Sequence, residues 1–445
     1  MAASSGPRRK STVPVSRLGR LVSVGLLAGE IALGSAVEGV RRLAGILPEP
    51  GTNALFNVRN ARALAERLAK LRGAAMKLGQ LLSMESEDLL PPELAQALAV
   101  LRSNAYAMPT AQLKGVLGRE YGKGWQARFV DFDFEPIAAA SIGQVHRART
   151  ADGRELALKV QYPGVARSID SDVDNVAVLL RLLNFLPVQL DVAGLAAEAK
   201  RQLRQEADYL QEARYQERYA KLVADDAKLL VPRVHRDLTT RRILAQDYVA
   251  GVALEALGAE GVPQARRDRV GAVLERLLFR ELFEFRLMQT DPNLANYLYE
   301  PRRRRVLLLD FGSVREFPAA FVARYARSTR AIVEGDRAAV RRYAVDIGYL
   351  APDDGGDRVE STLDLLFLVC EPLRHRGPYD FGKSNLAYRA SELSFLPALR
   401  RGEVRAPPPD TVFLHRKLVG SFLACARIRA RVDVRALIMP LLDRY

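Results

Sequence analysis

Residues 288–314 read "MQTDPNLANYLYEPRRRRVLLLDFGSV". Asp291 stands five places before Asn296, an apolar run covers 306–309, and Asp310-Phe311-Gly312 follows. These residue types in this order suit phosphoryl transfer. The Asp291 carboxylate can orient an accepting hydroxyl or a water. The Asn296 carboxamide oxygen and Asp310 can hold Mg²⁺, a hard cation that shares its oxygen ligands with nucleotide phosphates. An isolated Asp-Phe-Gly arises often by chance; one preceded by this spacing and an apolar strand does so far less. The four arginines of 302–305 fall where a hairpin turn belongs, a solvated turn that can also touch lipid headgroups.

Working outward, the 445 residues carry 67 Lys+Arg against 52 Asp+Glu, a formal charge of +15, and are 49% hydrophobic. The chain is globular and long enough for one large two-lobed core or two ordinary ones. Its charge favours anions: nucleotide phosphates, nucleic acid or an anionic membrane surface. Charge alone does not choose among them, since the basic residues are spread along the chain. Cys370 and Cys425 form no CxxC, and His146, His235, His375 and His415 have no ligand spacing, so neither a disulfide framework nor a zinc site is expected. A reducing compartment fits. Residues 17–47 follow a basic tail and are apolar, but Glu30 and Glu38 interrupt them and the unbroken stretch is too short to span a bilayer. They read as a helix lying on a membrane or a partner, or as a surface helix of the folded body.

Residues 48–54 are a Pro/Gly-rich linker, and 56–84 have helical periodicity. "TAQLKGVLGREYG" is a short helix closed by Gly122. Near Ala127 the period changes to three short strands with a turn at Ala151-Asp152-Gly153. A long helical stretch, 169–224, follows, with an inserted helical pair in 169–186. Then comes a strand in "RRILAQDYVAG" and a mostly helical remainder broken by the strand "RVLLLD". The expected divisions are a basic tail over 1–50, a helical extension over 51–126, a sheet-bearing lobe over 127–251 and a helical lobe over 252–445.

Lys159 ends the strand "ELALK", where a kinase keeps the lysine that pairs with the α- and β-phosphates of ATP. Its carboxylate partner is open among Glu198, Glu206, Asp208 and Glu212; Asp208 and Glu212 share a helical face, while Glu206 points elsewhere. Three features depart from a protein kinase, besides the missing His-Arg before Asp291. Ala138, Ala139, Ala140 and Ser141 stand where a glycine-rich loop would cover the phosphates, and only Gly143 remains. After Asp-Phe-Gly the chain runs almost directly into helix, leaving no platform for a peptide and favouring a small or membrane-embedded substrate. Lys77 and Gln80 share one face of an otherwise apolar helix.

Together these stretches resemble the UbiB/ADCK family of atypical kinases, most closely the ADCK branch linked to coenzyme Q synthesis. KLGQ (77–80) fits the family's KxGQ, AAAS (138–141) its alanine-rich loop, Glu206-Ala207-Asp208 its ExD, and QTDPNLAN with DFG its catalytic and metal loops. The likeness runs from about residue 60 to the C-terminus and includes "PYDFG" and "LHRKLVGSFL". The resemblance implies an α+β, two-lobed protein-kinase-like fold, with an N-terminal helical extension carrying KxGQ and a mainly helical C-lobe. It pairs Lys77 with Glu206 and Lys159 with Glu212. It places Asp291 in catalysis, Asn296 and Asp310 on the metal, and the 138–141 loop, with Val249 of "RRILAQDYVAG", on the nucleotide. The implied cofactors are ATP or ADP with Mg²⁺. The implied role is an atypical kinase or ATPase supporting ubiquinone synthesis, with a quinone-like lipid or quinone-biosynthesis enzymes as partners and no nucleic acid. The expected location is cytoplasmic, peripheral at the inner face of a membrane. The alternative function is a nucleotide-gated lipid-binding scaffold for quinone-biosynthesis enzymes.

Overall fold

The computed structural model describes residues 108–182, 192–386, 389 and 408–445. Lys77, Gln80, the 17–47 segment and most of the expected helical extension lie outside the described residues. The chain divides into two compact units, one containing the described residues up to 213 plus 234–248, the other 214–233 and everything from 249 onward.

The first unit opens with α1 (Thr110–Tyr121), which Gly122 closes at φ 86°, a left-handed angle that a side chain would resist. Four strands follow where three were expected: β1 (Phe129–Phe132), β2 (Ala138–Ala140), β3 (Gly143–Thr150) and β4 (Glu155–Gln161). The extra strand is the alanine run itself. Ala138, Ala139 and Ala140 pair antiparallel with Val145, Gln144 and Gly143, because alanine in an extended conformation needs no positive φ. Together with the later strand β6 (Ile243–Asp247) they build a five-stranded sheet ordered β1-β3-β4-β6, β2 pairing on β3. Lys159 lies inside β4, two residues before its end, rather than at its terminus as the composition of "ELALK" suggested. Its register partners are Val145 and Leu244. Apolar side chains of the sheet, among them Leu156, Leu158, Val160 and Leu244, pack into one core with Leu113, Leu117 and Val173.

The expected helical stretch over 169–224 is three helices, α2 (Val165–Leu182), α3 (Val192–Glu206) and α4 (Tyr209–Leu222), with one helix rather than a pair over most of 169–186. The break between α3 and α4 has a local cause. Asp208 Oδ1 accepts from the Gln211 N–H at 3.1 Å and its carbonyl accepts from Glu212 N–H at 3.0 Å, so Asp208 caps α4. Gln161 reaches over from β4 to donate to the Ala207 carbonyl at 3.0 Å, satisfying a group the break exposes.

In the second unit, β5 (Leu229–Leu230), β7 (Val252–Ala253), β9 (Tyr297–Glu300) and β10 (Arg305–Leu308) form a sheet ordered β5-β10-β9-β7. β9 and β10 are antiparallel with Arg305 opposite Glu300, which places Arg302, Arg303 and Arg304 in the hairpin turn, as read from sequence, and Arg305 in the strand that leaves it. β8 (Leu287–Gln289) pairs with β11 (Val314–Glu316). The rest of the described unit is mainly helical, apart from a short antiparallel pairing of Tyr379–Asp380 with Arg431–Val432: α5 (Gln264–Arg280), which continues as a π-helical turn over Glu281–Phe285, then α6 (Ala319–Glu334), α7 (Arg337–Ile347) and α8 (Gly356–Val369). A short α9 (Glu371–Arg374) precedes α10 (Pro409–Arg427) and α11 (Val434–Leu442). The main core packs α5, α10 and α11 on the strands through residues such as Leu277, Leu278, Leu418, Phe422 and Ile438. Both cysteines are free and buried, Cys370 and Cys425. No described helix is long and apolar enough to cross a membrane.

Candidate functional site

The first unit holds a buried ion pair. Lys159 Nζ lies 2.8 Å from Glu212 Oε1, with Glu212 only 1% exposed and the lysine 8%. β4 sets the lysine's position and the cap at Asp208 sets that of Glu212, in the first turn of α4. Asp208 and Glu212 therefore have separate roles, capping and pairing, and the choice of partner left open by spacing falls on Glu212. The Lys159 ammonium also lies 5.3 Å from the centre of the Tyr209 ring. Glu206 ends α3 and accepts from Ser141 Oγ at 2.7 Å, which ties the end of the alanine hairpin to that helix. Gly143 is required by packing, since a Cβ there would fall 2.4 Å from the Val160 carbonyl oxygen and 2.9 Å from the Tyr209 hydroxyl. Val249 is half-buried in the segment following β6.

The second unit brings together the residues of 288–314. Asn296 Nδ2 donates to the Asp291 carboxylate at 3.2 Å, which leaves the carboxamide oxygen as the group available to a cation. The Leu309 N–H donates to the Asn296 carbonyl at 3.0 Å and Thr290 N–H to the Ser313 carbonyl at 2.8 Å. These two backbone bonds lock the loop after β8 against the Asp-Phe-Gly segment. Asp310 Oδ1 accepts from the Gly312 N–H at 2.9 Å, and Phe311 is buried with its ring 4.9 Å from that of Tyr219. The donor set, one carboxamide and one carboxylate, consists of the hard oxygens that Mg²⁺ selects when phosphates complete its shell. Among the described residues no cluster of three or more His, Cys, Asp and Glu could hold a metal by itself.

Beneath this loop is a set of buried charged groups that spacing did not reveal. Lys417, on α10, donates to Tyr297 Oη at 2.7 Å and Gln289 Oε1 at 3.0 Å, and stands 3.6 Å from Glu281 Oε2. Glu281 Oε1 accepts from Tyr219 Oη at 2.5 Å and lies 3.4 Å from Gln289 N. Burial works against the Lys417 charge, but Glu281 and the Tyr297 oxygen outweigh it and hold the ammonium above its usual value. Arg416 is paired with Asp291 at 3.5 Å. Nearby, burial pushes Glu275 up to about 7, against hydrogen bonds from Ser421 and Cys425. The one available signal was compositional: two adjacent cations inside the otherwise apolar "LHRKLVGSFL".

An antiparallel sheet carrying a lysine paired to a helical glutamate, and a helical unit carrying the Asp/Asn loop and Asp-Phe-Gly, define a protein of α+β, kinase-like fold. The family model of the ABC1 atypical kinase-like domain matches residues 100–344. Rat mitochondrial atypical kinase COQ8B is 39% identical over 98% of this chain and 82% of its own. Mitochondrial atypical kinase COQ8 of Saccharomyces cerevisiae is 34% identical over 95% of this chain and 84% of its own. The Rv3197–erythromycin structure from Mycobacterium tuberculosis aligns with a TM-score of 0.61 at 26% identity, covering 85% of this chain and 94% of that one. The chain belongs to the ABC1 atypical kinase-like family.

Proposed function

We propose that the protein is a kinase or ATPase that takes Mg²⁺-bound adenine nucleotide and supports ubiquinone synthesis at a membrane surface. The acceptor is a small lipid-like molecule or water. The observation that carries this is the hydrogen bonding around Asn296: its amide nitrogen is committed to Asp291 while its backbone carbonyl fixes the strand running into Asp310. Bound there, Mg²⁺ would neutralise phosphate charge. Asn296 and Asp310 would hold it, and Asp291 would orient the acceptor oxygen, its carboxylate steadied by Asn296. Lys159, kept in place by Glu212, would position the α- and β-phosphates. The 138–141 hairpin, with Val249, would contact the nucleotide, and its extended alanines supply no glycine-like wrap around a terminal phosphate. Glu206 would receive Lys77, which the KxGQ resemblance assigns to it. The short path from Asp-Phe-Gly through β11 to α6 at Ala319 leaves little chain for a peptide platform, which favours a small acceptor. The names of the COQ8 relatives support the quinone pathway.

The test is Asp310→Asn. Magnesium-dependent ATP turnover should fall at least about 100-fold with the circular dichroism unchanged, and the variant should fail to restore isoprenoid quinone in a deletion strain. Retained turnover would remove the metal assignment. Quinone restored by an Asp291→Ala variant would transfer the reading to the scaffold.

A further inference from the structure

We propose that α10 is the positioning element of the catalytic loop, with Arg416, Lys417 and Gly420 supplying from a distant helix what the residues before Asp291 do not. The proposal rests on the phosphoryl-transfer reading of Asp291. Gln289 and Thr290, the two residues before the aspartate, are neutral. Thr290 spends its hydroxyl on the Ser313 carbonyl at 3.1 Å. Gln289 accepts from Lys417 at 3.0 Å.

Three contacts from one helix face reach the loop. Arg416 Nη2 stands 3.5 Å from Asp291 Oδ1, while Asn296 Nδ2 takes the other carboxylate oxygen at 3.2 Å, so both oxygens are held. Lys417 grips the residues on either side of the loop, Gln289 before it and Tyr297 after it. Gly420 fits against the proline between them: a Cβ at 420 would fall 2.1 Å from Pro292 Cβ and 2.6 Å from Cγ. A proline ring is rigid, so even a methyl group must move the loop. Residues 416, 417, 420 and 421 share one side of the helix, and Ser421 bonds Glu275 of α5 at 2.6 Å, fixing the helix that makes these contacts.

An apolar helix would pack here without the desolvation cost of two buried cations. Arg416 is 8% exposed and Lys417 4%, and their acceptors are Asp291, the residues flanking the loop and Glu281, which itself accepts from Tyr219 beside Phe311. Arg416 and Lys417 are positioning residues: they act on the acceptor through Asp291.

Amide hydrogen exchange over 289–297 and steady-state ATP turnover of the full chain test this together, with Arg416→Gln, Arg416→Lys, Gly420→Ala and the exposed control Arg427→Gln. Gly420→Ala and Arg416→Gln should speed exchange over 289–297 at least about tenfold and lower kcat about 10- to 100-fold. The KM for ATP should stay within about threefold, because the contacts fix the aspartate rather than the nucleotide. Arg416→Lys should recover much of the lost kcat, and Arg427→Gln should match wild type. Adding Arg416→Gln to Asp291→Asn should slow the enzyme no further. Wild-type exchange over 289–297 in both Arg416→Gln and Gly420→Ala would overturn the proposal, as would independent effects in the double variant. If the wild-type protein turns over no ATP, the kinase reading fails while the exchange measurement still decides the role of α10.

Discussion

The two units each bury a lysine, and the two are held in opposite ways. Lys159 sits on a strand, 8% exposed, against one carboxylate at 2.8 Å. Lys417 sits on a helix, 4% exposed, with a tyrosine hydroxyl and a carboxamide as its near acceptors and its carboxylate further off at 3.6 Å. In the proposed mechanism the first ammonium goes on to meet a phosphate. The second joins parts of the protein to one another. A buried lysine is thus ligand-directed or fold-directed according to its acceptors, and burial alone does not tell the two apart.

The comparison breaks most visibly at Lys417. Lys417→Met leaves Glu281 buried without its cation and should cost about 3–5 kcal/mol in urea unfolding, while the stabilisation that Mg-ATP confers on the folded protein persists. Lys159→Met likewise strands the buried Glu212 and should differ in its linkage to ligand: ATP turnover down about 100- to 1,000-fold and Mg-ATP no longer raising the Tm. Equal losses of ligand-linked stability in the two variants would erase the distinction. A finer probe is Glu275, held by Ser421 beside Lys417. Its carboxyl stands at about 7 when folded against 4.5 for an unperturbed glutamate, so the native state keeps a proton that the unfolded chain releases. Its stabilising contribution is complete below about pH 4.5 and is lost as pH rises through 7. Glu275→Gln should remove that loss, making the variant's stability relative to wild type rise by at most about 3 kcal/mol between pH 4.5 and 8. An unchanged pH dependence would mean that the carboxyl is ionised throughout.

What sequence could show follows the range of the contacts. The proximity of Asp291, Asn296 and Asp310 was legible because bonds between residues close in the chain hold their loops together; the catalytic and metal roles remain part of the proposal. Periodicity ran α3 and α4 together, although the capping signal Asp208-x-x-Gln211 was present and the Asp208–Gln211 bond is the one observed. The alanine run reads as a loop because it replaces glycines, whereas its small side chains are compatible with pairing on β3. Arg416 and Lys417 were beyond reach: their partners at Asp291 and Gln289 lie 125 and 128 residues away, and no local pattern encodes a contact of that separation.

The two buried thiols have a practical consequence. Burial pushes Cys370 up to about 12 and Cys425 well above its ordinary value, so neither presents a thiolate while the helical unit is closed. The α8–α9 junction carries one and α10 the other. An alkylating reagent would therefore time the opening of each region separately, giving the protein a clock for its own unfolding without any label being introduced.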